Sequence, residues 1–262
     1  MKLTYDISAL IPYINWPYFY FAWQVKDEKE KMRLHTEADV FLDQLEGRYH
    51  TYALFELYEA NSDDDDIVIG SQHLPLLRQQ QGSAPFLCLS DFIRPLSSGI
   101  PDRVGVFATS VDMGLETDFD ADPYQKMMAQ LLADRLAEAA AERMHEQVRK
   151  EYWGYAKDEQ LSIPDMLVEK FQGIRPAIGY PSLPDTSLNF VLNELLDMRQ
   201  IGIRLTESGA MKPHASVSGL MLAHPKAHYF NLGKIGEDQL RDYARRRGLP
   251  VEVLRKFLAA NL

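Results

Sequence analysis

One turn-rich run carries the residue types best suited to hold a small ligand. Residues 173–184 read GIRPAIGYPSLP. The prolines stiffen the chain, and Gly179 allows a ligand to approach the backbone closely. Arg175 offers a planar fork of N–H donors that suits a carboxylate. A ligand loop is one interpretation of this run, but on these residue types alone a purely structural turn is favoured.

Three other groups of residues have types that could do chemistry. Asp134 and Glu138 are one helical turn apart, which suits paired carboxylates, but the sequence offers no facing partner. His224 and His228 have a spacing compatible with metal ligation, but Pro225 and a turn lie between them, so loop histidines are favoured. The only cysteine, Cys88, lies in an apolar run and is predicted to be a buried structural thiol.

The charge balance excludes two classes of partner. The chain has 28 Lys and Arg against 38 Asp and Glu, for a net charge of −10. This charge repels a nucleic-acid backbone and an anionic membrane surface. The aromatic stretch 9–23 is broken by two prolines, is too short to span a bilayer and lacks a signal-peptide pattern. We therefore predict a cytoplasmic protein with no nucleic-acid and no membrane partner.

The elements that must position the candidate residues are strands, indicated by alternating apolar residues, and helices, indicated by apolar residues three and four apart. The predicted strands are 52–58, 67–69, 86–89, 104–109, 216–222 and 229–233. The predicted helices are 33–45, 123–153, 162–173, 186–202, 238–247 and 250–258. Because strands come in hairpin-like groups, we predict an α+β fold with a central, mainly antiparallel twisted sheet flanked by helices, as a single domain over 1–262.

The loop motif and a series of other segments resemble the activation domain of cobalamin-dependent methionine synthase. The loop motif is RPAxGYP over 175–181. The other matching segments, in family order, are YINW 13–16, LCLSDF 87–92, LADRLAE 132–138, YWGYA 152–156, LTES 205–208, ASVSG 215–219, HP 224–225, GKI 233–235 and DYAR 242–245. The resemblance covers nearly the whole chain.

The resemblance implies a protein that binds S-adenosylmethionine and offers its methyl group to the cobalt of a cobalamin held by a partner domain or protein. In that family, cob(II)alamin that forms by accidental oxidation is rescued by one-electron reduction, commonly from flavodoxin, coupled to methyl transfer. The implied partners are therefore cobalamin-binding methionine synthase modules and a flavodoxin-like reductant. The contribution of the chain would be orientation of the sulfonium methyl group rather than acid–base chemistry.

The resemblance also implies which residues bind S-adenosylmethionine, and it assigns no catalytic residue and no metal ligand. Arg175 would hold the methionyl carboxylate through charge-assisted hydrogen bonds. Glu138 would face the cationic side of the ligand, although a solvated helix-face glutamate is the alternative. Tyr229 would lie near the groove, although core packing is commoner for a strand tyrosine. The full set is Asn15, Glu138, Arg175, Ala177, Gly179, Tyr180 and Tyr229.

Two departures from the family pattern bear on function. Asn15 stands where the family usually has an aspartate, so one ligand-facing charge is lost and weaker affinity is expected. After Pro184 the family's stretch with a histidine is replaced by DTSLN over 185–189, apparently one residue shorter. This change puts in doubt any contact of that stretch with cobalamin or with its carrier.

Three functions follow from the resemblance and its departures. The first is a reactivation subunit of a split methionine synthase, because Met1 directly precedes the activation-domain sequence; it would be active only with a cobalamin-carrying partner. The second is a non-catalytic S-adenosylmethionine-binding sensor, suggested by the two departures. The third is reactivation of another corrinoid methyltransferase.

Overall fold

The computed structural model describes all residues, 1–262. The strands are β1 Lys2–Tyr5, β2 Thr51–Asp63, β3 Asp66–Ile69, β4 Gln72–Pro75, β5 Asp102–Val111, β6 Arg204–Leu205, β7 Met211–Lys212 and β8 Ser216–Met221. The helices are α1 Ile7–Leu10, α2 Trp16–Ala22, α3 Glu28–Leu45, α4 Gly114–Thr117, α5 Pro123–Gln147, α6 Ile163–Leu167, α7 Leu188–Leu196, α8 Glu237–Arg247 and α9 Val251–Phe257. No helix combines the length and the apolar composition needed to cross a membrane.

The main sheet has the order β4-β3-β2-β5-β8, and every pairing is antiparallel. Strand β2 is long enough to serve two neighbours on one edge, where its start pairs with β1 and its end with β3. Its other edge pairs with β5 over ten residue pairs, from Thr51↔Val111 to Ala60↔Asp102. The α+β fold with a mainly antiparallel sheet is thus confirmed, while the assignment of 1–262 to one domain stays a prediction.

The two faces of the sheet are buried in different clusters. Ala53, Phe55 and Phe107 pack with α1, α3 and α5 on one face. Their neighbours Leu54 and Val106 point to the other face and pack with α7 and the loops around it. This is the period of two expected of a strand buried on both sides, and each fully buried apolar side chain contributes roughly 1.5–3 kcal/mol.

Helix α5 is the main support of the site. The Asp122 side chain caps it by accepting from the amides of Tyr124 and Gln125, and Pro123 occupies its first turn. The Thr109 hydroxyl on β5 donates to the carbonyl oxygen of Ala137 at 2.9 Å, which ties the middle of α5 to the sheet. The predicted helix 123–153 is confirmed to residue 147, after which 148–152 form a π-helical turn.

Two predicted strands are wrong: both segments have no sheet partner and bury only some of their side chains. Residues 86–88 are irregular and 89–92 form a 3₁₀ turn, because the Asp91 carboxylate accepts from the amide of Cys88. Cys88 itself is fully buried, as predicted. Residues 229–233 have no ladder; the Leu232 amide instead donates to the Pro181 carbonyl oxygen at 2.9 Å.

Two other predicted helices also end earlier than expected. The predicted helix 186–202 is α7, which stops at Leu196 because Asp197 adopts a left-handed conformation (φ 48°), followed by a 3₁₀ turn over 198–201. The Asn193 side chain accepts from the Met198 amide across this break. Helix α6 begins as predicted with Ser162 as its cap, but it ends at Leu167 rather than at Gly173.

Candidate functional site

The candidate loop is hydrogen-bonded along the outer edge of β8. The Ile174 amide donates to the Leu222 carbonyl oxygen at 2.9 Å, and the Leu220 amide donates to the Pro176 carbonyl oxygen at 3.0 Å. This close approach requires Gly219, since a Cβ there would lie 2.2 Å from the Pro176 oxygen. The sheet therefore fixes the height of the loop relative to α5.

The loop pairs with β8 in an antiparallel way, and at Ala177 the backbone amide faces away from the sheet. Its neighbours bond to β8, with the Ile178 amide donating to the Ser218 carbonyl oxygen at 2.9 Å. In an antiparallel ladder every second residue faces outward, and the Ala177 N–H has no partner within the chain. The loop thus presents a free backbone donor on its outer side.

A cavity of about 620 Å³ lies between the loop, α5 and the N-terminal segment. It is lined by Tyr13, Asn15, Tyr18, Arg135, Glu138, Glu142, Leu167, Glu169, Arg175, Ala177, Tyr180, Pro181, Ser182, Val217, Tyr229, Phe230 and Asn231. Helix α5 contributes three of these side chains, each of which can carry a charge.

The structure brings six of the seven predicted site residues to this cavity. They are Asn15, Glu138, Arg175, Ala177, Tyr180 and Tyr229. Gly179 does not line it; its amide donates to the Leu183 carbonyl oxygen at 2.8 Å, and its φ of +87° forms the turn that places Tyr180. A left-handed residue is needed there, which only glycine adopts without cost. Tyr229 lies in an irregular segment rather than in the predicted strand.

Arg175 is held in the cavity wall by contacts of both its guanidinium and its backbone. Its side chain is 9% exposed and forms an ion pair with Glu142, Nη2 to Oε1 at 2.5 Å. Its Nη1 lies 3.2 Å from Nδ1 of His145, and its backbone amide donates to the Tyr229 hydroxyl at 2.9 Å. The guanidinium is therefore held in one orientation before any ligand enters.

Glu138 and Tyr180 join the two walls of the cavity. The Tyr180 hydroxyl donates to Oε1 of Glu138 at 3.0 Å. The charge of that carboxylate, helped by burial, raises the pKa of Tyr180 to about 12. One oxygen of the Glu138 carboxylate is thus engaged by the loop, and the other is free of hydrogen bonds within the chain.

Sequence reasoning missed two carboxylates of the cavity. Glu142 follows Glu138 by one helical turn, so the 3.6-residue period of α5 could have identified it. Glu169 follows α6 in a left-handed conformation (φ 60°), and burial raises the pKa of its carboxyl. Nothing in the local sequence indicates that conformation, which is uncommon outside glycine. Asp134 faces a smaller neighbouring cavity, where burial raises its pKa.

Acidic side chains outnumber basic ones in the lining of the cavity. The lining has three carboxylates, on Glu138, Glu142 and Glu169, and two guanidinium groups, on Arg135 and Arg175. The Asn15 side chain adds an uncharged amide that has no hydrogen bond within the chain. Such a lining suits a molecule that carries a carboxylate together with an excess of positive charge.

The altered stretch 185–189 faces the interior. Asp185 is buried and its carboxylate accepts from Tyr243 Oη at 2.7 Å and from Arg247 Nη1 at 2.9 Å. Asn189 is also buried and donates from its side chain to the Gly209 carbonyl oxygen. The residues that replace the family pattern are therefore engaged inside the fold.

The two histidines considered above for a metal have ordinary loop contacts. His224 Nδ1 accepts from the Lys226 amide at 3.2 Å, and His228 Nδ1 lies 3.0 Å from the Lys226 carbonyl oxygen. No group of three or more His, Cys, Asp or Glu side chains is arranged to hold a metal ion.

The chain is similar to known proteins both in sequence and in structure. The sequence model of the family described as vitamin B12 dependent methionine synthase, activation domain, matches residues 6–248. Among solved structures, the chain is similar to the crystal structure of the MetH reactivation domain bound to AdoHcy, with 38% sequence identity and a TM-score of 0.95. That similarity covers 100% of this chain and 90% of the other.

Proposed function

The chain belongs to the activation-domain family of vitamin B12-dependent methionine synthase, and on that premise we propose that it binds S-adenosylmethionine in the 620 Å³ cavity and supports reductive methylation of cob(II)alamin. Cobalamin would be held by a partner methionine synthase module, and a flavodoxin-like protein would supply the electron. The observation that carries the proposal is the convergence of Arg175, Glu138 and the free Ala177 amide on one cavity, in a relative of a domain whose crystal structure contains AdoHcy.

The size and charge of the cavity support this ligand. Small-molecule sites are about 300–1,000 Å³ in volume, and this cavity lies in the middle of that range. S-adenosylmethionine carries a sulfonium, an ammonium and a carboxylate, so it has a net positive charge. Three carboxylates against two guanidinium groups complement that charge.

Each wall of the cavity would bind a different part of the ligand. Arg175 would donate to the methionyl carboxylate, and the free oxygen of Glu138 would face the cationic groups. The amide of Ala177 would donate to the adenosyl part, with the rings of Tyr180 and Tyr229 beside it. Asn15 would accept from the ligand ammonium without charge assistance, which predicts weaker binding than an aspartate would give.

Orientation is the catalytic contribution proposed for this chain. S-adenosylmethionine would supply the sulfonium methyl group, a partner-held cobalamin reduced by one electron would accept it, and S-adenosylhomocysteine would be the product left on this chain. The residues that grip the two ends of the ligand would direct the sulfonium toward the open side of the cavity. Fixing the geometry of two reacting groups in this way lowers the entropic part of the barrier.

Calorimetric titration of S-adenosylmethionine tests the binding part of the proposal. We expect saturable binding by the wild type and by Arg199→Ala, whose side chain is 76% exposed and does not line the cavity. Arg175→Ala should abolish the binding. Absence of binding up to millimolar ligand, or unchanged affinity in Arg175→Ala, would contradict the proposed site.

A reactivation assay tests the functional part. Cobalamin-loaded methionine synthase without its own activation domain should recover turnover when this protein, S-adenosylmethionine and a reductant are added. Binding without recovery of turnover would favour the alternative of a non-catalytic S-adenosylmethionine-binding sensor. The uncharged Asn15 supports that alternative. The inward position of 185–189 weakens the other argument for a sensor, since those side chains are engaged within the fold.

A further inference from the structure

The guanidinium of Arg175 lies between two acceptors on adjacent turns of α5, the half-buried carboxylate of Glu142 and the buried ring of His145. Nη2 donates to Oε1 of Glu142 and Nη1 donates to Nδ1 of His145. The second carboxylate oxygen of Glu142, Oε2, is buried and has no hydrogen bond. Arginine pairs readily with both oxygens of a carboxylate at once. The single contact seen here therefore needs an explanation.

His145 supplies that explanation through its position and its protonation. Its side chain is fully buried, its ring packs edge-on against Phe171 at 5.0 Å, and Nε2 lies 3.4 Å from the Tyr155 hydroxyl. Burial first, and then the charges of Arg175 and Arg149, lower the pKa of His145 well below its ordinary value, so the ring is neutral. Because arginine can only donate, Nδ1 is the acceptor and the ring proton lies on Nε2.

We infer that His145 is a positioning residue for ligand recognition: by accepting from Nη1 it prevents Arg175 from pairing with both oxygens of Glu142 and keeps the remaining guanidinium donors facing the cavity. This inference rests on the proposed function and extends it to a residue that does not itself line the cavity. Without the acceptor at 145, rotation of the guanidinium would satisfy the orphaned Oε2 of Glu142. The donors left for a ligand carboxylate would then be turned away.

The test compares two ligands that differ in the carboxylate. S-adenosylhomocysteine carries the amino-acid carboxylate, whereas 5′-methylthioadenosine has the same nucleoside and thioether without it. His145→Leu removes the acceptor, and His145→Asn retains an acceptor oxygen near the position of Nδ1. Titration calorimetry on these two variants and on the wild type should separate the role of the acceptor from that of the ring.

We expect His145→Leu to bind S-adenosylhomocysteine about tenfold more weakly, the effect of losing one hydrogen bond to a charged group. His145→Asn should bind it with near wild-type affinity. The affinity for 5′-methylthioadenosine should be the same in all three proteins. In the His145→Leu background, Glu142→Gln should recover part of the lost affinity, because a neutral amide competes less well for Arg175.

Unchanged affinity of His145→Leu for S-adenosylhomocysteine, or an equal loss for both ligands, would overturn the inference while leaving the proposed function intact. Failure of the wild type to bind S-adenosylhomocysteine would overturn both. If His145→Leu does not fold, ¹⁵N imidazole spectra of the wild type decide: an unprotonated Nδ1 whose shift changes in Arg175→Ala supports the inference. A protonated Nδ1 refutes it.

Discussion

Breaking the ion pair between Arg175 and Glu142 should destabilise the protein, and the structure sets the size of the effect. The two side chains are only 9% and 16% exposed. In Arg175→Met the carboxylate of Glu142 remains largely buried without the guanidinium that pairs with it. Removing one partner of a buried pair costs about 3–5 kcal/mol, and the residual exposure of Glu142 places this case near 3 kcal/mol. For a protein of this size that lowers Tm by roughly 6–12 °C.

Replacing both partners should restore stability without restoring ligand binding. In Arg175→Met/Glu142→Leu no unpaired charge remains, and well-packed apolar replacements of buried pairs are often neutral. We therefore expect the double variant to recover most of the lost free energy of unfolding, with a coupling energy of about 2 kcal/mol between the two sites. It should still fail to bind S-adenosylmethionine, because the carboxylate-binding fork is gone.

Urea unfolding followed by tryptophan fluorescence, on the wild type, the two single variants and the double variant, measures each corner of this cycle. A loss below about 1 kcal/mol in Arg175→Met would mean that the pair is screened like a surface pair, contrary to its burial. A double variant as unstable as the single ones would show that packing, rather than the unpaired charge, sets the cost.

Three further predictions follow from single contacts. Asn15→Asp should tighten S-adenosylmethionine binding by about 1 kcal/mol, roughly fivefold, because the acceptor for the ammonium becomes charged; equal calorimetric affinities would contradict this. Gly219→Ala should lower Tm and abolish binding, since its Cβ would lie 2.2 Å from the Pro176 oxygen; unchanged melting and titration curves would refute the requirement for glycine there. Because the pKa of His145 is lowered in the folded protein, only the unfolded state binds a proton at this residue as the pH falls through 6.5. The free energy of unfolding therefore decreases as the pH falls. Between pH 7.5 and 5.5 the free energy of unfolding, measured with urea, should fall by about 1.4 kcal/mol less in His145→Asn than in the wild type. An equal fall in the two proteins would contradict a neutral buried imidazole.

Local patterns of apolar residues predict much of the fold. Strands 104–109 and 216–222 alternate between two buried faces, and helix 123–147 repeats apolar residues at helical spacing. The two wrong strands, 86–89 and 229–233, are rich in apolar residues of which only some are buried, and their backbones bond to side chains and loops. Over four or five residues an apolar pattern does not distinguish a strand from an irregular segment that buries only some of its side chains.

By itself the sequence determined the family, the loop around Arg175 and the helix face that carries Glu138, because motif and period are local properties. Only the tertiary structure decided that Arg175 lies between Glu142 and His145, that Glu169 faces the cavity, and that 185–189 point inward. The reason is geometric: these contacts join residues far apart in the chain, and their distances depend on the height at which β8 and Gly219 hold the loop over α5.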